Sequence, residues 1–153
     1  MTASQKTMPD ERDDRDAIVA TFNRFASAMD RKDWESYAAL FTEDATVNFT
    51  EQFPRSGRSN ILKFVRNALE ACGATHHMLS NYSVAINGDR ATASCYFRAH
   101  HRGKGAKADL FEESLGIFSA TLVRMDHGWR MSHLDETITI MLGTPDIFPE
   151  NNE

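Results

Sequence analysis

Residues 22–34 read FNRFASAMDRKDW, and this stretch ends an amphipathic helix on an acid. Ile18, Phe22, Ala26 and Asp30 are spaced four residues apart, so they share one face of the helix. An aspartate in the last helical turn faces the negative end of the helix dipole, at a cost of about 0.3–1 kcal/mol. The pattern therefore predicts that Asp30 has a partner elsewhere in the chain, although it could also cap a neighbouring turn.

The composition is that of a single soluble domain and argues against several classes of function. Hydrophobic residues make up 41% of the 153 positions and charged residues 25%, which is ordinary for a globular protein. The net charge of −5 and the lack of a long basic stretch argue against nucleic acid as a partner. No apolar run approaches the roughly 20 residues that span a bilayer, so no membrane partner is expected. The N-terminus lacks the apolar region of a secretory signal, which indicates a cytoplasmic protein whose Cys72 and Cys95 are reduced thiols.

The order of the periodic segments predicts helices first and a meander of strands afterwards. Helices are expected from Asp10 or Asp13 to Asp30, over 34–41 and from Ser59 to Gly73. Strands are expected over 45–50, 75–87, 90–102, 110–125 and 129–142, with a turn at 42–44 and a loop over 52–58. This order predicts an α+β fold in which a cone-shaped, curved, antiparallel or mixed sheet wraps around three N-terminal helices and encloses a pocket.

The same pattern divides the chain into three segments. Residues 1–12 are expected to form a disordered tail, and residues 13–142 an α+β barrel domain. Residues 143–153 are expected to form a C-terminal tail. Ile147 and Phe148 give that tail apolar side chains with which to dock, so it could act as a lid on the pocket.

Two pairs of adjacent histidines mark the long strands. Adjacent side chains of a strand point to opposite faces, so one histidine of each pair should face the interior. His101 is in phase with an apolar face of the strand 90–102 and is predicted to point inward. In the strand 75–87, His76 is in phase with the later apolar positions, so parity favours His76 over His77 unless a bulge inverts the phase.

Polar side chains in the later strands are the remaining candidates. Ser119 and Thr121 interrupt an apolar face of the third long strand, and His133 shares a face of the last strand with Asp135. Structural explanations compete with each of these, because histidines, serines and threonines in strands are usually structural and evenly spaced aromatics usually belong to a core. A His/Asp metal site lacks the HxH or HxxxH spacing that would support it, so no metal and no cofactor are predicted.

The segments MDRKDW, ALFTEDATVNF and GWRMSHLD resemble the nuclear-transport-factor-2-like superfold, which includes SnoaL-like polyketide cyclases, steroid isomerases and scytalone dehydratase. The chain looks most similar to the SnoaL-like, scytalone dehydratase-like branch over residues 13–142. That branch ends its first helix on an acid in an xDxKDW setting, which Asp30 matches. It begins its next long strand with a histidine that His77 matches in THHM, so the resemblance favours His77 where parity favours His76.

Three further positions follow the same branch. Its second histidine, in an Arg-x-x-His stretch, is matched by His101 in RAHH. Its Ser-Ala-Asn run is matched by SAT, with Ser119 in the serine place and Thr121 in the asparagine place. The resemblance therefore implies a catalytic set of Asp30, His77, His101 and Ser119.

The chain departs from scytalone dehydratase at the two tyrosines that polarise the substrate carbonyl there. The matching positions hold Met29 and Phe49, which argues against scytalone as the substrate and for a more apolar pocket. The side chains expected to bind substrate are Phe22, Met29, Trp34, Phe49, Phe53, Phe97, Thr121 and His133.

The implied chemistry is acid–base catalysis without a cofactor. His77, oriented by Asp30, would remove a proton next to an electron-withdrawing group. His101, Ser119 and Thr121 would then bind the developing oxyanion or protonate a leaving hydroxyl. The expected enzyme is a dehydratase, or a related isomerase or cyclase, acting on a small, cyclic, largely apolar carbonyl compound. The alternative is a non-catalytic ligand-binding or assembly module of the same superfold, such as a dioxygenase small subunit. Because relatives associate through their sheets, the resemblance also implies a homodimer or homotrimer.

Overall fold

The computed structural model describes residues 10–50 and 53–150. The helices are α1 (Glu11–Arg31), α2 (Trp34–Ala38) and α3 (Arg58–Glu70). The strands are β1 (Phe41–Phe49), β2 (Phe53–Ser56), β3 (Thr75–Asn87), β4 (Arg90–Arg102), β5 (Phe111–Met125) and β6 (Gly128–Gly143). Short 3₁₀ turns lie at Gly105–Lys107 and Pro145–Ile147. The tail predicted over 1–12 overlaps the start of α1, and its residues 1–9, like residues 151–153, lie outside the described residues.

The six strands of the described residues form one mixed sheet in the order β2-β1-β6-β5-β4-β3. β3 to β6 form an antiparallel meander, whereas β1 lies parallel to β6 and β2 antiparallel to β1. α1 packs on β3 and α3 on β1, so the helices and the sheet enclose the core. The largest buried core side chains include Phe22, Phe25, Tyr37, Phe41 and Leu134. The predicted α+β class, a curved mixed sheet with three helices, is confirmed.

Local sequence sets both ends of α1. Asp10 caps the first turn by accepting a backbone hydrogen bond. Three acids in that turn interact favourably with the positive end of the helix dipole. At the other end Lys32 adopts a left-handed conformation with φ of 53°, and its amide bonds back to carbonyls of the last turn. This stop leaves Asp30 in the final turn of the helix. No helix of the described residues is long and apolar enough to cross a membrane.

The boundary between α2 and β1 differs from the prediction. α2 ends at Ala38 instead of residue 41, and β1 begins at Phe41 instead of residue 45. The backbone N–H of Met131 donates to the carbonyl of Leu40 at 2.8 Å, which ties this segment to β6. Tertiary pairing therefore overrides the turn-forming composition of residues 42–44.

β2 and the start of α3 also differ from the prediction. The segment 52–58 was expected to be a loop because it contains Pro54, yet β2 pairs with β1 from Phe53 onward. The proline is tolerated because β2 is the edge strand of the sheet. α3 begins at Arg58 behind Gly57, which has a φ of 87°, and not at the predicted cap Ser59.

A bulge at Asn81 reverses which face of β3 points inward. The pairing of β3 with β4 is continuous up to Ser80 and resumes at Ser83, and Asn81 in between has a φ of 55°. The less exposed positions are Thr75, His77 and Leu79 before the bulge, and Tyr82, Val84 and Ile86 after it. Parity counted from the later positions selected His76 and was wrong, since the bulge turns His77 inward.

The left-handed conformation at the bulge makes a stability prediction. Asn81→Val is expected to lower the free energy of unfolding by about 1–2 kcal/mol, because a β-branched side chain is disfavoured there. Asn81→Gly should be close to neutral, because glycine adopts a positive φ without steric cost. Urea denaturation of the three proteins measures this difference. Equal midpoints for the valine and glycine variants would contradict the assigned strain.

The two cysteines are unbridged and buried. Burial raises the pKa of Cys72 to about 11 and that of Cys95 to about 12. Both thiols therefore stay protonated at neutral pH and are core side chains, not candidate nucleophiles.

Candidate active site

Asp30 reaches from the end of α1 to the start of β3, where its partner is His77. The Nδ1 atom of His77 lies 2.7 Å from Oδ1 of Asp30, and the backbone N–H of His77 donates to Oδ2 at 2.9 Å. The hydroxyl of Thr75 also donates to Oδ1, at 2.9 Å. The His77 side chain is 5% exposed and the Asp30 side chain 24%. The carboxylate therefore holds the imidazole through Nδ1 and leaves Nε2 available for a reacting molecule.

The surroundings favour a neutral imidazole beside an ionised acid. Burial lowers the pKa of His77 below its ordinary value of 6.5, and this outweighs the opposing hydrogen bond to Asp30. Burial alone would raise the pKa of Asp30, but the side-chain and backbone hydrogen bonds from His77 bring it below its ordinary value. A neutral imidazole near pH 7 is the state that a general base requires.

His101 forms a second pair with a carboxylate. Its Nδ1 atom lies 2.7 Å from Oε2 of Glu112, and the two side chains are 9% and 2% exposed. The hydroxyl of Ser114 donates to the other oxygen of Glu112. Glu112 stands directly opposite His101 in the β4–β5 ladder. Sequence reasoning placed His101 inward but missed Glu112, which the cross-strand register alone reveals.

The two histidine rings meet inside the fold. The ring centroids of His77 and His101 are 5.2 Å apart, with the ring planes at 81°. On its other side the His101 ring contacts Phe148, with centroids 5.3 Å apart. Phe148 follows the turn Pro145–Ile147, in which Ile147 is buried. The segment after β6 therefore lies against His101.

Ser119 and Thr121 lie on the outer face of the sheet, opposite to His77 and His101. Together with small and polar side chains of β3, β4 and β6 they line a shallow cavity of about 320 Å³. The expectation that they share the interior with the histidines was wrong. The apolar side chains in phase with them point outward, whereas the inward face of β5 carries Glu112 and Ser114.

His133 belongs to this outer cavity as well. Its Nδ1 atom lies 2.6 Å from the hydroxyl oxygen of Thr46, and its Nε2 atom lies 3.0 Å from Asp135. Because both ring nitrogens are engaged on the outer face, His133 is not part of the interior site to which it was assigned.

The remaining residues predicted to bind substrate fall into two groups. Phe22, Met29, Phe49 and Phe97 are buried. Phe97 stacks on Phe118 at a centroid distance of 4.3 Å, and Phe49 stacks on Phe64 at 4.7 Å. Trp34 donates a hydrogen bond to the exposed Glu70 at 2.8 Å, and Phe53 is 42% exposed. The first group borders the interior, whereas Trp34 and Phe53 lie towards its periphery.

Sequence reasoning also missed Glu136, an inward-facing acid on β6. It stands opposite Phe118 of β5 and Phe49 of β1. Burial, with a smaller contribution from the charge of Glu112, raises the pKa of Glu136 to about 7. An irregularity of the ladder between β5 and β6 before Leu134 shifts the phase of β6, so simple alternation along the strand misassigned its faces.

Comparison with known proteins identifies a matching family. Residues 10–135 match the SnoaL-like domain. A search of curated proteins found no significant match to this chain.

Solved structures share the fold over most of the chain. A proposed aromatic ring hydroxylase from Novosphingobium aromaticivorans is 25% identical, covers 92% of this chain and 99% of its own, and gives a TM-score of 0.81. A proposed scytalone dehydratase from the same organism is 21% identical, covers 88% of this chain and 89% of its own, and gives a TM-score of 0.81. The hexachlorocyclohexane dehydrochlorinase LinA type 2 is 15% identical, covers 92% of this chain and 95% of its own, and gives a TM-score of 0.78. The last two likenesses show the fold alone.

Proposed function

We propose that this chain, which belongs to the SnoaL-like domain family of the nuclear-transport-factor-2-like fold, is a lyase of the dehydratase type. The observation that carries the proposal is the 2.7 Å contact between Nδ1 of the buried His77 and Asp30. Structures with the same fold include proteins named scytalone dehydratase and dehydrochlorinase, and both names describe eliminations.

In the proposed reaction His77 removes a proton from a carbon next to a carbonyl group. Nε2 takes the proton while Asp30 stabilises the resulting imidazolium at Nδ1. The electron pair of the broken C–H bond forms a C=C bond, and the C–O bond to the β-hydroxyl breaks. His101, oriented by Glu112, protonates the hydroxyl, which leaves as water. Solvent then accepts the proton from His77 and returns one to His101. Proton transfer accounts for every step, so the proposed reaction needs no cofactor.

The interior favours a cyclic, largely apolar carbonyl compound as the substrate. Met29, Phe49 and Phe97 present apolar surface on the same side of the sheet as the two histidines. Such surface gives a ring its binding energy, while a few polar groups fix its orientation.

A panel of cyclic β-hydroxyketones tests the proposed function. The wild-type protein is expected to convert at least one member to the unsaturated ketone, which is followed by ultraviolet absorbance. Deuterium incorporation next to the carbonyl, followed by NMR in D₂O, reports the proton-removal step on its own. A protein that neither forms the unsaturated ketone nor catalyses this exchange across the panel would not be a dehydratase of this kind.

The pH dependence of the reaction follows from His77. Since burial lowers the pKa of its imidazole below 6.5, the neutral base predominates from mildly acidic pH upward. Below that pKa, kcat/KM is expected to rise by about tenfold per pH unit, because the fraction of neutral imidazole rises by that factor. The inflection of the acid limb should lie below pH 6.5. An inflection above that value contradicts the assignment of His77 as a buried base.

A second candidate function is assembly through the sheet. Tyr96, Met78 and Ile140 are 54%, 51% and 51% exposed. Because these apolar side chains are available for contact, we propose that the protein forms a homodimer or homotrimer. Light scattering at several concentrations measures the mass in solution, and a monomer at all of them would contradict this proposal. An assembly module alone gives no role to the buried Asp30–His77 pair.

A further inference from the structure

Glu136 occupies an unusual position for a carboxyl group. It follows the fully buried Leu134 on the inward face of β6 and lies between the aromatic positions Phe118 and Phe49 of the neighbouring strands. It nevertheless keeps part of its surface accessible. A side chain that is surrounded by protein and still partly accessible lines a concavity inside the fold, not its outer surface.

No described residue donates a hydrogen bond to the Glu136 carboxyl. Burial raises the pKa of the nearby Tyr37 well above its ordinary value, and the charge of Glu136 adds to this effect. The Tyr37 hydroxyl is buried and has no partner among the described residues. A buried polar group without a partner costs about 1–3 kcal/mol, so this part of the interior holds polar groups that the described residues leave unsatisfied.

The other charged groups around this interior do not neutralise Glu136. Glu112 lies on β5 and repels it, while Asp30 is engaged by His77. The guanidinium of Arg55 on β2 lies 4.4 Å above the ring of Phe64 on α3. Burial and, among the described residues, the charge of Glu112 both favour the protonated form of this carboxyl.

We propose that Glu136 binds the substrate as a neutral carboxylic acid, donating a hydrogen bond to an uncharged carbonyl or hydroxyl oxygen remote from the reacting carbon. The proposal rests on the proposed function for the chemistry at His77, and it adds a recognition element to the substrate. Because Asp30 and Glu112 also face this interior, substrates that carry a carboxylate are disfavoured by like charge.

The register of the strands places Glu136 away from the reacting carbon. His77 stands opposite Ala99, Ala99 opposite Ser114, and Glu136 opposite Phe118 further along β5. Phe118 lies four positions after Ser114, about 13 Å further along an extended strand. A hydrogen bond from Glu136 therefore reaches the far end of a substrate whose other end meets His77, and it serves binding and specificity.

The raised pKa of Glu136, about 7, makes this hydrogen bond sensitive to pH. The acid donates below that pKa and loses its proton above it. The affinity for a neutral ketone should therefore fall as the pH rises through about 7. This is opposite to the effect of His77, whose deprotonation makes kcat/KM rise with pH.

The test uses β-tetralone and tetralin as probes, because they differ only in the carbonyl group. Ligand-observed NMR gives the Kd of each about 1.5 pH units below and above the pKa of Glu136. The wild-type protein should prefer the ketone by about 2- to 12-fold at the lower pH, the factor that one net hydrogen bond supplies. Glu136→Gln should keep the preference at both pH values, and Glu136→Leu should lose it at both. Glu113→Gln, which changes an acid on the outer face, should behave as wild type.

The outcomes separate this proposal from the proposed function. A ketone preference that survives in Glu136→Leu, or that does not change with pH in the wild type, overturns the role of Glu136. Because binding requires no turnover, the expected Kd pattern without dehydration or deuterium exchange would refute the lyase assignment alone. With a turned-over substrate, Glu136→Leu should raise KM and leave kcat nearly unchanged, as expected for a group that binds without reacting.

Discussion

Replacing His77 by alanine is expected to lower kcat/KM by about 10²- to 10⁴-fold, the contribution of a positioned general base. The structure gives this histidine a buried ring, a carboxylate on Nδ1 and the ring of His101 at a centroid distance of 5.2 Å. Deuterium exchange next to a substrate carbonyl measures the loss directly. It should fall by the same factor as the dehydration rate, because both require removal of the same proton.

The neighbouring histidine provides a matched control for this prediction. His76→Ala removes the same side chain from the same strand, but His76 is exposed on the other face. This variant should retain the wild-type rate and stability. If both alanine variants keep full activity, the reacting base is another group, and if both lose it, the loss reflects damage to β3.

Changing Asp30 to asparagine is expected to lower kcat/KM by about 10²-fold or more. The carboxylate accepts hydrogen bonds from Thr75 and from both the ring and the backbone of His77. An amide carries no charge to stabilise the imidazolium, and its NH₂ group cannot accept a bond. Since Asp30 also raises the pKa of His77, the acid limb of the pH profile should move to lower pH in this variant.

Asp33→Asn is the matched control for the Asp30 variant. Asp33 is an aspartate nearby in the chain that caps α2 by accepting from Ser36, and asparagine caps helices about as well as aspartate. The control should keep its activity and its unfolding temperature. If Asp30→Asn lowers the unfolding temperature without changing the rate or the pH profile, then Asp30 serves only to fasten α1 to β3.

The sequence was most informative where local chemistry and tertiary structure agree. The bounds of β3 and β4 match the prediction because the Asn87-Gly88 turn and long alternating runs act together. The need of Asp30 for a partner followed from its place in the last turn of a helix, and the resemblance selected His77. These features depend on neighbours in the sequence, which is why they could be read without coordinates.

The assignment of faces failed where irregular pairing or a polar interior reversed the usual rule. The bulge at Asn81 turned His77 inward against parity. On β5 apolar side chains lie on both faces, and the inward face that carries Phe118 and Leu122 also holds Glu112 and Ser114, so apolar periodicity did not identify the buried face. Ser119 was misplaced for this reason. A candidate active site is where a rule based on hydrophobic burial is expected to fail.

β3 lies at the edge of the sheet, where Asp30 also bears on association between molecules. An edge strand presents unpaired backbone N–H groups, which can template pairing with another chain. The backbone N–H of His77 is one such group, and the Asp30 carboxylate covers it at 2.9 Å. The acid that orients the proposed base therefore also occupies a backbone N–H group with which another chain would otherwise pair.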